Sequence, residues 1–141
     1  MTGEDRQPGR VLAVDHGTRR IGLALSDPRR TTSTALEVVG RSQAVNRIRE
    51  IVVEYEVTEI VVGLPITLAG GEGIAAQRAR DLGAELAEVL DVPITFIDER
   101  FSTTTAERVM LEAGAKRGER RQARDMVAAS VILRSFLDRA R

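Results

Sequence analysis

The chain has 141 residues, 43% of them hydrophobic and 30% charged, and its formal net charge is zero. These totals suit one ordinary globular domain. It contains no cysteine, which excludes disulfides, thiolate metal sites and thiol nucleophiles. No apolar run approaches the ~20 residues a membrane span needs, and the first ten residues lack the apolar core of a signal peptide, so a cytoplasmic protein with no membrane partner is expected.

Residues 1–9, with Gly3, Pro8 and Gly9, read as a flexible tail, and 10–141 as a single domain. Arg10 to Val14 reads as a buried strand, Gly17-Thr18 as a turn, Ile21 to Ser26 as a second strand and Thr34 to Val39 as a third. Two tight connections imply an antiparallel meander. The period then changes: from Ser42, a candidate N-cap, Val45, Ile48, Val52 and Tyr55 recur at helical spacing. Glu59 to Gly63 is an apolar strand, and a glycine-rich loop, Leu64 to Gly73, leads into a helix over about 74–90, with Ala75, Ala79, Leu82, Leu86 and Val89 facing inward. Strand Pro93 to Ile97 follows. Thr104 and Glu107 have capping-box spacing and open a third helix, which Gly114 ends. A last helix, from about Gln122 to Arg139, sets Asp125 in line with Ala129, Ile132 and Phe136.

Strand and helix alternating in this way require right-handed parallel crossovers. The expectation is an α/β fold with a mixed five-stranded sheet flanked by helices and the first strand central. The first and last strands then end at one edge, where ligands of parallel sheets collect.

Three acids stand on these core elements. Asp15 closes the first strand, Glu99 follows the last, and Asp125 opens the apolar stretch of the final helix. Ionised carboxylates on core elements are costly unless paired or metal-bound. Oxygen ligands without cysteine or a histidine cluster select a hard cation, Mg²⁺ or Mn²⁺. Ions so held can activate a water and stabilise a leaving oxygen in phosphodiester cleavage. Each acid alone also has a plain reading: Asp15 as a cap of the Gly17-Thr18 turn, Asp125 as a charge complementing a helix dipole. Asp98 alternates away from Glu99 along the strand, and His16, the sole histidine, receives no role.

Twenty of the 21 basic residues are arginine. Arg19, Arg20 and Arg100 lie beside the acids and are candidate phosphate contacts, or else they balance buried negative charge. Lys116, Arg117, Arg120 and Arg121 form a basic segment that is either a nucleic-acid contact or a solvated loop. The glycine-rich loop ends at a helix start able to bind an anion, but it lacks the P-loop ending. Scarce aromatic residues argue against extensive base stacking.

Val14-Asp15-His16-Gly17-Thr18-Arg19-Arg20-Ile21-Gly22-Leu23-Ala24, Ile60-Val61-Val62-Gly63-Leu64-Pro65, Asp98-Glu99-Arg100-Phe101-Ser102-Thr103 and Asp125-Met126-Val127-Ala128-Ala129 together resemble the successive signatures of the YqgF/RuvX family. The resemblance implies an RNase H-like fold of RuvC type and a metal-dependent nuclease with Asp15, Glu99 and Asp125 as its acidic site. It implies maturation of the 5′ end of pre-16S ribosomal RNA, or resolution of branched DNA at Holliday junctions, for which a homodimer would matter because two strands are cut. Arg124 and Phe101 depart from the family pattern, and Gly63 stands where RuvC itself tends to carry an acid. Two rivals remain: an actin-like ATPase, suggested by Asp15-His16-Gly17-Thr18, and a non-catalytic nucleic-acid-binding module.

Overall fold

A computed structural model describes residues 7–17, 19–65, 71–98 and 117–139, with side chains of the last helix from residue 127 onward. The elements run β1 (Arg10–His16), β2 (Arg20–Ser26), β3 (Ser33–Gly40), α1 (Arg41–Glu54), β4 (Val57–Leu64), α2 (Ile74–Val89), β5 (Ile94–Asp98) and α3 (Arg117–Arg139). The expected helix over 104–113 lies outside the described residues.

The strands form one sheet in the order β3-β2-β1-β4-β5. β1 pairs antiparallel with β2 (Ala13 opposite Ala24) and parallel with β4 (Ala13 opposite Val61), and β4 pairs parallel with β5. β1 is thus central, as expected, because the meander grows on one side of it and the crossovers on the other. A strand covered on both faces must be apolar throughout. Val11 to Val14 are all fully buried.

Alternation divides that strand between two cores. Leu12 and Val14 pack with Ala44, Ile48 and Ile51 of α1 and Ala76, Ala79, Leu82 and Leu86 of α2. Val11 and Ala13 pack with Ala24, Val61 and Ile97 and with Ala129, Ile132, Leu133 and Leu137 of α3. Burying each large aliphatic side chain stabilises by ~1.5–3 kcal/mol, so these contacts hold α3 on the sheet. Polar anchors fasten it at the β2–β3 turn. Ser33 Oγ donates to the Ser130 carbonyl at 2.7 Å, and Arg134 donates to the Thr31 carbonyl at 3.1 Å.

Several local expectations change. Ser42 is not the N-cap of α1. β3 runs to Gly40, paired with Arg20, and the helix starts at Arg41 without a side-chain cap. In α2 the buried residue is Ala76 rather than Ala75, and Val89 is 43% exposed where the helix ends. The end of the expected tail is tied down. The Gly9 N–H donates to the Pro28 carbonyl, and Arg30, at φ 61°, donates to the Gly9 carbonyl and to Glu59.

Candidate functional site

Asp15 is the penultimate residue of β1, opposite Gly22 of β2. Val11 and Ala13, which share its side of the strand, pack against α3. Asp15 is therefore on the α3 face, at the carboxyl end of the central strand. On β4, Val61 belongs to that same core, so Gly63, two residues on, shares the face and offers no side chain between β1 and β5. Ile97 of β5 also belongs to it, while Phe96 packs in the opposite core. Asp98 thus falls on the α1/α2 face, away from Asp15, as alternation led one to expect.

Glu99, Arg100 and Lys116 lie outside the described residues. Arg117, Arg120, Arg121 and Asp125 belong to α3, and Asp125 precedes the buried Ala129 by four residues, about one turn of helix. Among the described residues, no three His, Cys, Asp or Glu side chains gather as a metal site. The donor chemistry around Asp15 can still be judged. The chain has no cysteine, and its sole histidine faces the other way, so an ion held by Asp15 would meet oxygen ligands. That set fits Mg²⁺ or Mn²⁺.

The opposite face holds a different arrangement. His16, alternating away from Asp15, lines a hollow of about 380 Å³ together with Arg19, Arg20, Arg41, Arg78 and Asp81. The hairpin tip is closed by the Gly17 N–H donating to the Arg20 carbonyl at 2.8 Å. The imidazole bonds through Nδ1–H to the Gly17 carbonyl at 2.9 Å. Burial holds the His16 pKa below the usual histidine value, and the positive charges of Arg41 and Arg78 act in the same direction. Two arginines singled out in sequence, Arg19 and Arg20, are thereby joined by two that were not. The one local signal for Arg41 is a cation opening a helix, where the dipole favours an acid. Arg78 carried no signal, because nothing local shows that α2 comes to rest beside the hairpin.

A family model described as RuvX: Holliday junction resolvase matches residues 9–139. The chain belongs to the RuvX family. A relative from Roseiflexus sp. (strain RS-1), provisionally named a pre-16S rRNA nuclease, is 46% identical over 138 residues, covering 96% of this chain and 98% of its own. One of the same name from Dictyoglomus turgidum is 42% identical, covering 92% and 94%. Among solved structures, Thermus thermophilus RuvC in complex with a Holliday junction substrate aligns at a TM-score of 0.57 and 18% identity, over 94% of this chain and 96% of that one. The fold is RNase H-like, of RuvC type. The family and its relatives agree on one reaction class, and this RuvX chain is a nuclease that hydrolyses phosphodiester bonds.

Proposed function

We propose that this chain is a divalent-metal-dependent nuclease that trims the 5′ end of precursor 16S ribosomal RNA in the cytoplasm, as one domain over residues 10–141. The observation that carries the reading is the position of Asp15 at the carboxyl end of the central strand, on the face covered by α3. Glu99 is the next residue but one after Ile97, which shares that face, and Asp125 is one helical turn before Ala129. These relations support Asp15, Glu99 and Asp125 as the acidic site. Mg²⁺ or Mn²⁺ bound by them would supply an activated water and charge stabilisation for the leaving oxygen. Gly63, on β4 between the first and last strands, adds no side chain to that face.

The arginines do the positioning. Arg19 and Arg20 follow the β1–β2 turn after Asp15 and are suited to the phosphates flanking the scissile bond, and Arg100, next to Glu99 in sequence, and Lys116, Arg117, Arg120 and Arg121, before Asp125 in sequence, are the further phosphate contacts of this reading. The names of the 42–46% identical relatives favour RNA. The family description favours a second reading, a homodimeric resolvase acting on branched DNA. The test offers purified protein a ribosomal-RNA precursor and a four-way DNA junction with Mg²⁺ or Mn²⁺, with Asp15→Asn as control. Cleavage of the precursor alone, lost in the variant, is the expected outcome. Cleavage of the junction alone would reverse the substrate, and binding without cleavage of either would leave only a binding module.

A further inference from the structure

The hollow behind the β1–β2 turn is lined by four arginines, Arg19 and Arg20 from the hairpin, Arg41 from the first position of α1 and Arg78 from α2, with Asp81 the one acid among its lining residues. Like charges brought together from separate elements repel unless an anion joins them. Arg20 has a partner of its own, so the charge that seeks an anion is that of Arg19, Arg41 and Arg78. Asp81 accepts from Gln77 at 2.9 Å, and Arg41 meets Glu85 at 2.6 Å in a surface pair, both partners more than a third exposed, of a kind that contributes little. α1 also begins here with no side-chain cap and no acid in its first turn, so its dipole adds positive potential. A hollow of about 380 Å³ has room for a phosphate and its ester oxygens, and guanidinium forks match phosphate oxygens in pairs.

We propose that this hollow is a phosphate site distinct from the acidic site, occupied by a phosphate of the bound strand other than the one being cut. The proposal rests on the nuclease reading for the identity of the strand, and it adds Arg41 and Arg78 to the binding surface. Asp15 and His16 serve opposite faces of one strand, so the two sites lie on opposite sides of the sheet. A strand held at both points must pass over the carboxyl edge of the sheet at the β1–β2 turn, which keeps its scissile bond on the α3 face.

The test uses the whole chain in EDTA, so that no cleavage intervenes. Inorganic phosphate and a twelve-nucleotide single-stranded RNA are titrated separately while backbone amides are followed by NMR. Both probes are expected to shift the amides of Arg20, Ile21, Arg41 and Arg78, the RNA with at least about tenfold higher affinity because it also engages other basic residues. In the double variant Arg41→Gln/Arg78→Gln, checked for an unchanged circular-dichroism melt, RNA affinity should fall about tenfold. The slope of log K against log salt should lose about 1.4, two contacts at ~0.7 each. Shifts with phosphate alone would support the phosphate site but assign it to a free or terminal phosphate. If neither probe moves those amides, or the folded variant binds both as the wild type does, the proposal is overturned. Its fate is separable from that of the nuclease reading: a protein that shows these shifts yet never cuts with Mg²⁺ keeps the pocket and loses the nuclease, and one that cuts without them does the reverse.

Discussion

Asp15 and His16 are consecutive residues of β1 that serve opposite faces of the sheet, Asp15 the α3 side and His16 the arginine-lined hollow on the α1/α2 side. The alternation of a strand separates by one residue what a sequence motif presents as a unit. The Asp15 carboxylate and the His16 imidazole, side by side in sequence, are therefore not a catalytic pair here.

The first prediction concerns the acids. Asp15→Asn, Glu99→Gln and Asp125→Asn should each lower Mg²⁺-dependent cleavage by about a thousandfold, the several kcal/mol that a metal contributes at tenfold per 1.36 kcal/mol. RNA affinity in EDTA should change by less than about threefold. The measurements are single-turnover cleavage and fluorescence anisotropy on the same RNA. His16→Asn, by contrast, should retain cleavage within about tenfold, because its side chain serves the other face.

Metal and stability should be linked at the same site. In the proposed acidic site, Asp15→Asn removes a carboxylate ligand of the ion. Added Mg²⁺ should raise the wild-type melting temperature in a concentration-dependent way, because an ion that binds only the folded state stabilises it, and should leave the variant unmoved. Thermal melts across a magnesium series read both effects.

Gly83 lies in α2 where a Cβ would come within 2.5 Å of the Phe96 ring, so its lack of a side chain lets the helix approach β5. Arg80 lies over the same ring at 5.1 Å, limiting how the ring can move. Gly83→Ala gains ~1 kcal/mol of helix propensity but overpacks the contact by ~1–3 kcal/mol, so a net loss of about 1 kcal/mol is expected by urea denaturation. The companion change Phe96→Leu should make Gly83→Ala neutral or better.

Asp27 follows β2 and accepts hydrogen bonds from the Thr31 N–H (2.6 Å), the Thr31 hydroxyl (2.7 Å) and the Thr32 N–H (2.8 Å). Desolvation pushes its pKa up, but these bonds to the ionised form outweigh it and hold the carboxyl well below the usual range. A folded-state pKa below the unfolded one means stability that is present above the ordinary carboxylate pKa and lost as the pH falls through the folded value. Asp27→Asn should therefore be less stable than wild type at about pH 6, with the gap closing toward about pH 2. Denaturant melts across that range follow it.

Much of this protein was legible in its sequence because the signals are local. Alternating and continuous apolar runs marked all five strands, and the change to helical period marked α1 and α2. The absence of cysteine and of a histidine cluster pointed to oxygen ligands for any metal at Asp15 before a strand was placed. Boundaries were less legible. Ser42 looked like an N-cap, yet β3 continues to Gly40 because its pairing with β2 extends to Arg20, and cross-strand bonds outweigh a capping preference. Helix phase was off by one residue at Ala75, since two adjacent alanines carry the same apolar signal and only the packed neighbour selects between them.

The sequence alone determined the element types, the mixed α/β order, the lack of thiolate ligands for the proposed acidic site and the family resemblance, all written in runs of neighbouring residues. Only the tertiary structure decided which helices cover each face of the sheet, and that Arg41 and Arg78 join Arg19 and Arg20 around one hollow. The physical reason is that periodicity is a property of a few consecutive residues. The meeting of side chains 20 to 60 positions apart depends on strand order and helix packing, which come from the balance of the whole core.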